Sequence, residues 1–262
     1  MGKSALVMAS VIYYLVLLLF TVACFIPFSV LFLLTVPFDR ERVLLHWASR
    51  GWSMGIFHLC PRWRLRVEGR GKIDRSRPYV IVTNHQSMLD IPLMYVLPLN
   101  FKWVSKKEVK KMPIFGLVLL MHGDILVERG SRESAKAMVG ACTKRLGRGT
   151  SVIVFPEGTR TKTGRIGRFK DGAFVVARKA GVGILPVVID GTWSLMDGWK
   201  FRMPHSFRVR VLDPIEPDEV MATEPREMAG RIEERMKRAH GEMTGIRYFD
   251  EGSGTDSQTS KQ

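Results

Sequence analysis

Residues 79–90, YVIVTNHQSMLD, decide the fold, because they join an apolar stretch to a helical stretch through a polar turn. Tyr79–Thr83 is short, apolar and rich in β-branched residues, which predicts a strand that is buried on both faces. Similar apolar runs lie at Ser151–Phe155 and Ile184–Ile189, with helical stretches between them. Buried strands that alternate with helices predict an α/β domain, with a mixed sheet flanked by helices on both faces.

The rest of the chain supplies further elements of this domain. Shorter apolar or alternating segments predict strands at Trp63–Glu68, Phe101–Ser105, Ile125–Val127 and Arg208–Leu212. Helices are predicted at Met88–Leu97, Lys106–Met121, Ser134–Leu146, Gly172–Ala180 and Arg226–Met243. The order of the strands in the sheet does not follow from these patterns.

Composition limits the classes of protein that this chain can belong to. Hydrophobic residues make up 46% of the 262 residues, enough for a core, which excludes a disordered or fibrous chain. The formal net charge is +15, and from Asp39 to Leu212 there are 32 basic and 13 acidic residues. Such a block favours anionic partners, unless it is merely a solvated basic surface. We exclude nucleic acid, because the sequence has no RNP-type aromatic motif, zinc-ligand spacing or recognition helix.

The N-terminal segment predicts attachment to a membrane. Ala5–Phe38 contains 34 residues without one charge, and at about 1.5 Å per residue a helix of that length exceeds the roughly 30 Å hydrocarbon core. The run is too long for a secretory signal peptide. Pro27 is expected to kink or break the helix and to leave Ala5–Ile26 as a piece of spanning length. The sequence leaves open whether the segment crosses the bilayer or enters one leaflet.

The residues after this segment indicate its orientation. Arg40 and Arg42 follow it directly, so the positive-inside tendency places the rest of the chain in the cytoplasm, at the cytoplasmic (inner) membrane. Asp39–Leu59 is predicted to form an amphipathic helix. Trp47 and Trp52 suit a helix at the membrane surface, although a helix that faces the protein core fits the pattern equally well. The three cysteines are widely spaced and form no CxxC pair, which favours a reducing compartment.

His85 and Asp90 form the first candidate for chemistry. In one continuous helix five residues rotate by about 500°, so the two side chains would not share a face. The spacing works if His85 lies in the turn and Asp90 in the first helical turn, where its carboxylate can accept from Nδ1–H. Nε2 is then free to act as a general base on a hydroxyl of the substrate. The alternative is that Asp90 is only an N-cap, followed by Pro92 in the first turn.

The second motif is Phe155–Arg160, FPEGTR, directly after a predicted strand. Gly158 permits a positive φ or a close approach of the backbone to a ligand. Arg160 can bind a phosphate group bidentately. The alternative is a surface ion pair between Glu157 and Arg160. Because the carboxyl ends of strands in such a sheet line a ligand crevice, we expect this loop to lie near His85.

Two further motifs are less specific when each is taken alone. Lys106 follows a predicted strand near the start of a helix, a place that favours an anion, although a solvated basic face explains it too. Residues 123–129 read GDILVER, and Ile184–Val188 reads ILPVV, a run typical of a core strand.

Together these four motifs resemble those of the bacterial 1-acyl-glycerol-3-phosphate acyltransferases, within the wider glycerolipid acyltransferase family. The resemblance extends from about Trp63 to Val188. NHQSMLD is similar to the NHxxxxD block of that family, and His85 and Asp90 match its catalytic pair. GDILVER, FPEGTR and ILPVV resemble the second, third and fourth blocks in the same order. Leu126 departs from the pattern, because an aromatic residue is usual there.

The resemblance implies an enzyme that moves an acyl chain from coenzyme A or acyl carrier protein to the sn-2 hydroxyl of lysophosphatidate. The product is phosphatidate, in phospholipid biosynthesis, and no cofactor or metal is needed. His85 would be the base and Asp90 its partner, and the substrate-binding residues would be Lys106, Arg129, Glu157, Gly158, Thr159 and Arg160. The alternatives are an acyltransferase for another lysolipid, such as a lyso-ornithine lipid, and a non-catalytic membrane protein that binds anionic lipid.

The sequence also predicts that the chain has three parts. Residues 1–60 are expected to form membrane-anchoring helices, residues 61–248 an α/β acyltransferase domain, and residues 249–262 a disordered tail.

Overall fold

A seven-stranded mixed sheet forms the centre of the protein. The computed structural model describes residues 2–111, 115–128 and 131–249. The strands are β1 (Trp63–Glu68), β2 (Val80–Thr83), β3 (Phe101–Lys106), β4 (Ile125–Val127), β5 (Ser151–Val154), β6 (Ile184–Asp190), β7 (Met196–Asp197), β8 (Lys200–Phe201) and β9 (His205–Val211). Their order in the main sheet is β1-β9-β6-β2-β5-β3-β4, and β7 with β8 forms a separate hairpin. Within the main sheet only β6 and β9 pair antiparallel, so the predicted mixed α/β sheet is confirmed.

Helices cover both faces of this sheet, as the sequence predicts. They are α1 (Lys3–Thr35), α2 (Val43–His58), α3 (Asp90–Met94), α4 (Phe115–His122), α5 (Arg132–Leu146), α6 (Gly172–Ala180), α7 (Pro217–Ala222) and α8 (Pro225–Thr244). Alternate residues of β2 enter opposite cores. Ile81 packs with α2 and α3 on one face, and Val80 and Val82 pack with α5, α6 and α8 on the other.

Two predicted helices are shorter than expected. The helix predicted at Met88–Leu97 is reduced to α3, and single turns follow it up to Leu97. Pro98 comes next, and a residue before proline is disfavoured in the helical region. The helix predicted at Lys106–Met121 begins instead as a 3₁₀ turn at Lys107–Lys111 and resumes as α4. Residues 112–114 and 250–262 lie outside the described residues, so the predicted tail is untested apart from its first residue.

Of the two outcomes predicted for Pro27, a break of the first helix is wrong, and a kink stays a prediction. The 33 residues of α1 are assigned as one helix with Pro27 inside it. Proline removes one backbone hydrogen bond, and packing against α2 supports the helix on both sides of that position. Trp52 Nε1 donates to Thr21 Oγ1 at 3.2 Å, and the Phe28 side chain is buried.

The second helix begins four residues later than predicted, at Val43 rather than Asp39. The Asp39 carboxylate accepts hydrogen bonds from the amides of Val43 and Leu44, each at 2.9 Å, and so caps the first turn from outside. The interpretation as a helix that faces the core is confirmed, and a position at the membrane surface stays a prediction. One face, including Leu45, is buried in the core, and the other exposes Val43, Leu44 and Trp47.

Candidate active site

Three of the predicted site segments lie at one edge of the sheet. β2, β5, β3 and β4 are neighbours that run parallel, so their carboxyl ends lie on the same side. His85 follows β2, the loop 155–160 follows β5, and Lys106 is the last residue of β3. Arg129, which follows β4 in sequence, lies outside the described residues.

The predicted contact between His85 and Asp90 is present. Nδ1 of His85 lies 2.7 Å from Oδ2 of Asp90, whose side chain is fully buried, while the His85 side chain is 15% exposed. The same Oδ2 accepts from the amides of Gln86 and Ser87 at 2.6 and 2.8 Å. These donors precede Asp90, whereas an N-cap accepts from residues that follow it, so Asp90 is not the N-cap of α3.

The other oxygen of Asp90 is held by a residue that the sequence did not reveal. The Thr192 hydroxyl donates to Asp90 Oδ1, and it also lies 3.2 Å from Oε1 of Gln86. Oε1 of Gln86 accepts from the Trp193 amide at 3.3 Å. Thr192 lies two residues beyond the end of β6, and the only sequence signal for it is this position just after the ILPVV motif.

A stack of aromatic rings fixes the plane of the imidazole. The His85 ring lies parallel to the Phe155 ring, with centroids 3.8 Å apart and an angle of 13° between the planes. Phe155 in turn stacks on Trp103 at 5.4 Å. Nε2 of His85 has no hydrogen-bond partner in the part of the chain that the structure describes, so it is available to a ligand.

Glu157 connects the loop that carries His85, in the first motif, to the loop after β5 that carries the second. Its Oε1 accepts from the backbone amide of His85 at 2.9 Å, and its Oε2 accepts from the amide of Gly167 at 2.8 Å. Burial raises the pKa of the Glu157 carboxyl group above its ordinary value. The alternative of a surface pair with Arg160 is wrong, because backbone amides occupy both carboxylate oxygens.

The remaining predicted substrate-binding residues lie at the surface of the same edge. Gly158 has a φ of +73°, and a Cβ atom there would lie 3.1 Å from Lys170 Nζ. Lys106, Thr159 and Arg160 are exposed, and among the described residues Arg160 has no carboxylate partner. None of these three makes a hydrogen bond to His85 in the described part of the chain. Within the described ranges no group of three or more His, Cys, Asp or Glu is arranged to hold a metal ion.

The chain is similar to known proteins in sequence. A family model described as Acyltransferase matches residues 64–190. A chloroplastic 1-acyl-sn-glycerol-3-phosphate acyltransferase of Arabidopsis thaliana is 38% identical over 65% of this chain and 46% of its own length. The enzyme of that name from Helicobacter pylori is 31% identical over 67% of this chain and 76% of its own length. The chain spans about half the length of the plant and algal relatives that it matches.

The fold has a counterpart among solved structures. The crystal structure of the 1-acyl-sn-glycerophosphate acyltransferase PlsC from Thermotoga maritima superposes with a TM-score of 0.75 at 25% identity, covering 95% of this chain and all of that one. Because the agreement includes the sheet, the N-terminal helices and most of the length of a bacterial relative, the chain belongs to the 1-acyl-sn-glycerol-3-phosphate acyltransferase family.

Proposed function

We propose that this protein transfers an acyl chain from an acyl thioester to the sn-2 hydroxyl of 1-acyl-glycerol-3-phosphate and so forms phosphatidate. The observation that carries the proposal is the His85–Asp90 hydrogen bond, with Nε2 of His85 unpartnered in the described part of the chain. The relatives named above bear the name of this reaction.

In the proposed reaction, Nε2 of His85 takes the proton of the sn-2 hydroxyl while its oxygen attacks the thioester carbonyl carbon. The imidazolium that forms is stabilised by Asp90, whose carboxylate accepts from Nδ1–H. Collapse of the tetrahedral intermediate breaks the carbon–sulfur bond, and the imidazolium returns the proton to the leaving thiolate. The reaction forms one ester, cleaves one thioester and changes no oxidation state.

Arg160 is the proposed ligand of the acceptor phosphate, together with Lys106 and Arg129. An exposed guanidinium without a carboxylate partner in the described ranges is free to bind a phosphate oxygen pair. Glu157 supports this site because it fixes the loop after β5 to the backbone of His85. Gly158, with its positive φ, forms the turn that precedes Thr159 and Arg160. The basic surface favours the polyphosphate of coenzyme A or an acidic carrier protein as donor.

The helix α1 supports a location at the membrane surface. Its segment Ser4–Thr35 is long and apolar enough to cross a bilayer. Near one end, Ser10 Oγ accepts from the Phe201 amide, and beyond the other end Val36 lines a cavity together with Ile125 of β4. These points are about 39 Å apart along a helix, so α1 is held against the α/β domain near both of its ends, and between them it packs against α2.

This position favours a helix that enters one leaflet over one that crosses the bilayer. Its exposed apolar residues cover about half of the helix circumference, since Val7, Val11, Leu18 and Leu34 are exposed beside Met8, Leu15, Leu19 and Leu33, so a broad apolar face is left for lipid. We therefore assign residues 1–60 to membrane anchoring, residues 61–248 to catalysis and residues 249–262 to a tail. Arg40 and Arg42 favour the cytoplasmic face of the inner membrane.

An assay of the purified protein in detergent tests the proposal. It offers lysophosphatidate, other lysophospholipids and a lyso-ornithine lipid, each with acyl-coenzyme A and with acyl carrier protein. We expect phosphatidate as the main product with at least one donor. Preference for an acceptor without a phosphate would contradict the assignment of Arg160, and acylation of none of them would contradict the proposed activity.

A further inference from the structure

A second basic pocket lies away from the candidate active site. It has a volume of about 510 Å³ and is formed by the end of α1, the loop before α2, the start of β4 and the last turns of α5. Its lining residues are Val36, Arg40, Arg42, Asp124, Ile125, Leu126, Ala141, Lys144, Arg145 and Arg148. Ile125 begins β4, whereas His85 and Arg160 follow the carboxyl ends of parallel strands, so the two sites lie toward opposite edges of the sheet.

This pocket has more cationic side chains than carboxylate groups that pair with them. Glu41 pairs with Arg145 at 2.8 Å and with Arg148 at 3.0 Å. Within the described residues, neither Arg40 nor Lys144 has a carboxylate partner. The pocket therefore keeps a positive charge that a bound anion would offset.

Among the described residues of the lining, the one acidic side chain is directed away from solvent. Oδ1 of Asp124 accepts from the Trp103 amide at 2.9 Å and lies 2.8 Å from His122 Nδ1, and the Asp124 side chain is 1% exposed. Asp124 therefore presents little negative charge to a ligand.

A buried lysine adds a second, independent observation. Lys102 on β3 is 0% exposed, and its Nζ has no hydrogen-bond partner. Its electrostatic neighbours include Asp124, whose buried Oδ2 also lacks a hydrogen-bond partner among the described residues, and Arg145, which both line the pocket, and Glu41, which pairs with Arg145 and Arg148. Burying a cation without a hydrogen-bonded partner is costly. An anion in the adjacent pocket would reduce that cost.

The surroundings of the pocket are apolar and exposed. Leu33, Leu34 and Phe38 stand out at the end of α1, and Val43 and Leu44 stand out at the start of α2. A small soluble anion would not contact these apolar side chains. A phospholipid would place its phosphate in the basic pocket and its acyl chains on the apolar residues beside it.

We propose that this pocket binds the phosphate of an anionic phospholipid headgroup, with the acyl chains of that lipid against the exposed residues of α1 and α2. The lipid would hold the end of α1 at the membrane surface from a site separate from catalysis. The proposal does not depend on the reaction that the protein catalyses.

Binding of short-chain phosphatidylglycerol to the full-length protein in dodecylmaltoside micelles tests this site. Short-chain phosphatidylcholine and inorganic phosphate are the comparison ligands, and the readouts are intrinsic tryptophan fluorescence and thermal stabilisation. The variant Arg40→Glu/Lys144→Glu reverses two cations that have no carboxylate partner in the described chain. The control Lys179→Glu/Arg226→Glu makes the same change of net charge at exposed positions on α6 and α8.

We expect phosphatidylglycerol to bind the parent and control proteins, and the pocket variant to lose at least about tenfold in affinity, since each nearby cation contributes to attraction of an anionic lipid. The variant Arg160→Glu should keep this binding, which separates the pocket from the candidate active site. If the pocket variant and the control variant lost equal affinity for phosphatidylglycerol, the loss would be explained by net charge alone, and the proposal would be overturned. Equally tight binding of inorganic phosphate, or of phosphatidylcholine, would overturn the assignment to an anionic lipid.

Discussion

The Thr192 hydroxyl donates a hydrogen bond to Oδ1 of Asp90, while Oδ2 of the same carboxylate accepts from the His85 imidazole and from two backbone amides. Asp90 is therefore fixed through both of its oxygens. Because an imidazole takes its orientation and tautomer from the group that accepts its Nδ1–H, Thr192 acts on His85 through Asp90.

Thr192→Val should lower kcat with little effect on either KM. The change keeps the shape of the side chain and removes a hydrogen bond to a charged group, which is worth roughly 1.5–3 kcal/mol, so we expect about a ten- to hundredfold loss. Thr192→Ser should restore most of the rate, because it restores the hydroxyl.

The matched control for this prediction is Thr223→Val. Thr223 is also buried, but its hydroxyl donates to the carbonyl of Glu219 within α7 and accepts from Arg231, remote in sequence from the motifs. An equal loss of kcat in both variants, with an equal fall in melting temperature, would assign Thr192 a purely structural role.

His85→Ala should remove turnover while lysophosphatidate still binds. Loss of a general base costs about 10²–10⁴-fold, and Asp90→Asn should be severely impaired as well, because an amide at that position can hold the wrong tautomer of His85. Single-turnover kinetics and a direct measurement of lysophosphatidate binding separate the two effects. Full activity in His85→Ala would remove the base from the mechanism.

Sequence reasoning predicts the His85–Asp90 contact because that contact is local. Five residues in a strand-to-helix turn allow few arrangements, and one of them brings the imidazole to the carboxylate. The strands are predictable for the same reason, since each depends on its own short apolar run. The positive φ of Gly158 could also be predicted as one option from the sequence, because glycine adopts that conformation more readily than other residues.

The support that Thr192 gives to Asp90 could not be predicted in this way. The two residues are 102 positions apart, and they meet because β6 pairs with β2 in the sheet. That pairing depends on strand order, which no local pattern encodes. The connection between Glu157 and Gly167 escaped prediction because an acidic residue beside an arginine favours an ion pair on local grounds.

Arg160→Ala should raise the KM for the acceptor by about ten- to a hundredfold, because a charge-assisted contact contributes roughly 1.5–3 kcal/mol. The KM for the thioester should change less, and Arg160→Lys should restore only part of the loss, since an ammonium group lacks the planar fork. Steady-state kinetics with each substrate varied in turn check this. A stable Arg160→Ala protein with an unchanged acceptor KM would exclude Arg160 from the phosphate site.

Lys102→Met should stabilise the protein at neutral pH. Burial lowers the pKa of Lys102 to about 8, whereas the unfolded chain keeps a value near 10.4. At a pH between these two pKa values, Lys102 is protonated in the unfolded chain and neutral in the folded chain. The free energy of unfolding therefore rises as the pH increases through this window. Below about pH 8 Lys102 is charged in both states, and burial of its charge destabilises the folded protein in full. At roughly 1.36 kcal/mol per pH unit this cost has an upper limit of about 3 kcal/mol.

Thermal melts of the parent, Lys102→Met and Lys179→Met proteins, without added phospholipid, measure this effect between about pH 7 and pH 10. Lys179 is exposed on α6, so its removal controls for the loss of one charge. The melting temperature of Lys102→Met should exceed that of the parent at pH 7, and the difference should shrink as the pH rises, because the parent then loses the unfavourable proton. A variant that melts below the parent across this range would show that the buried ammonium has a stabilising partner. A constant difference would mean that Lys102 does not titrate in this window.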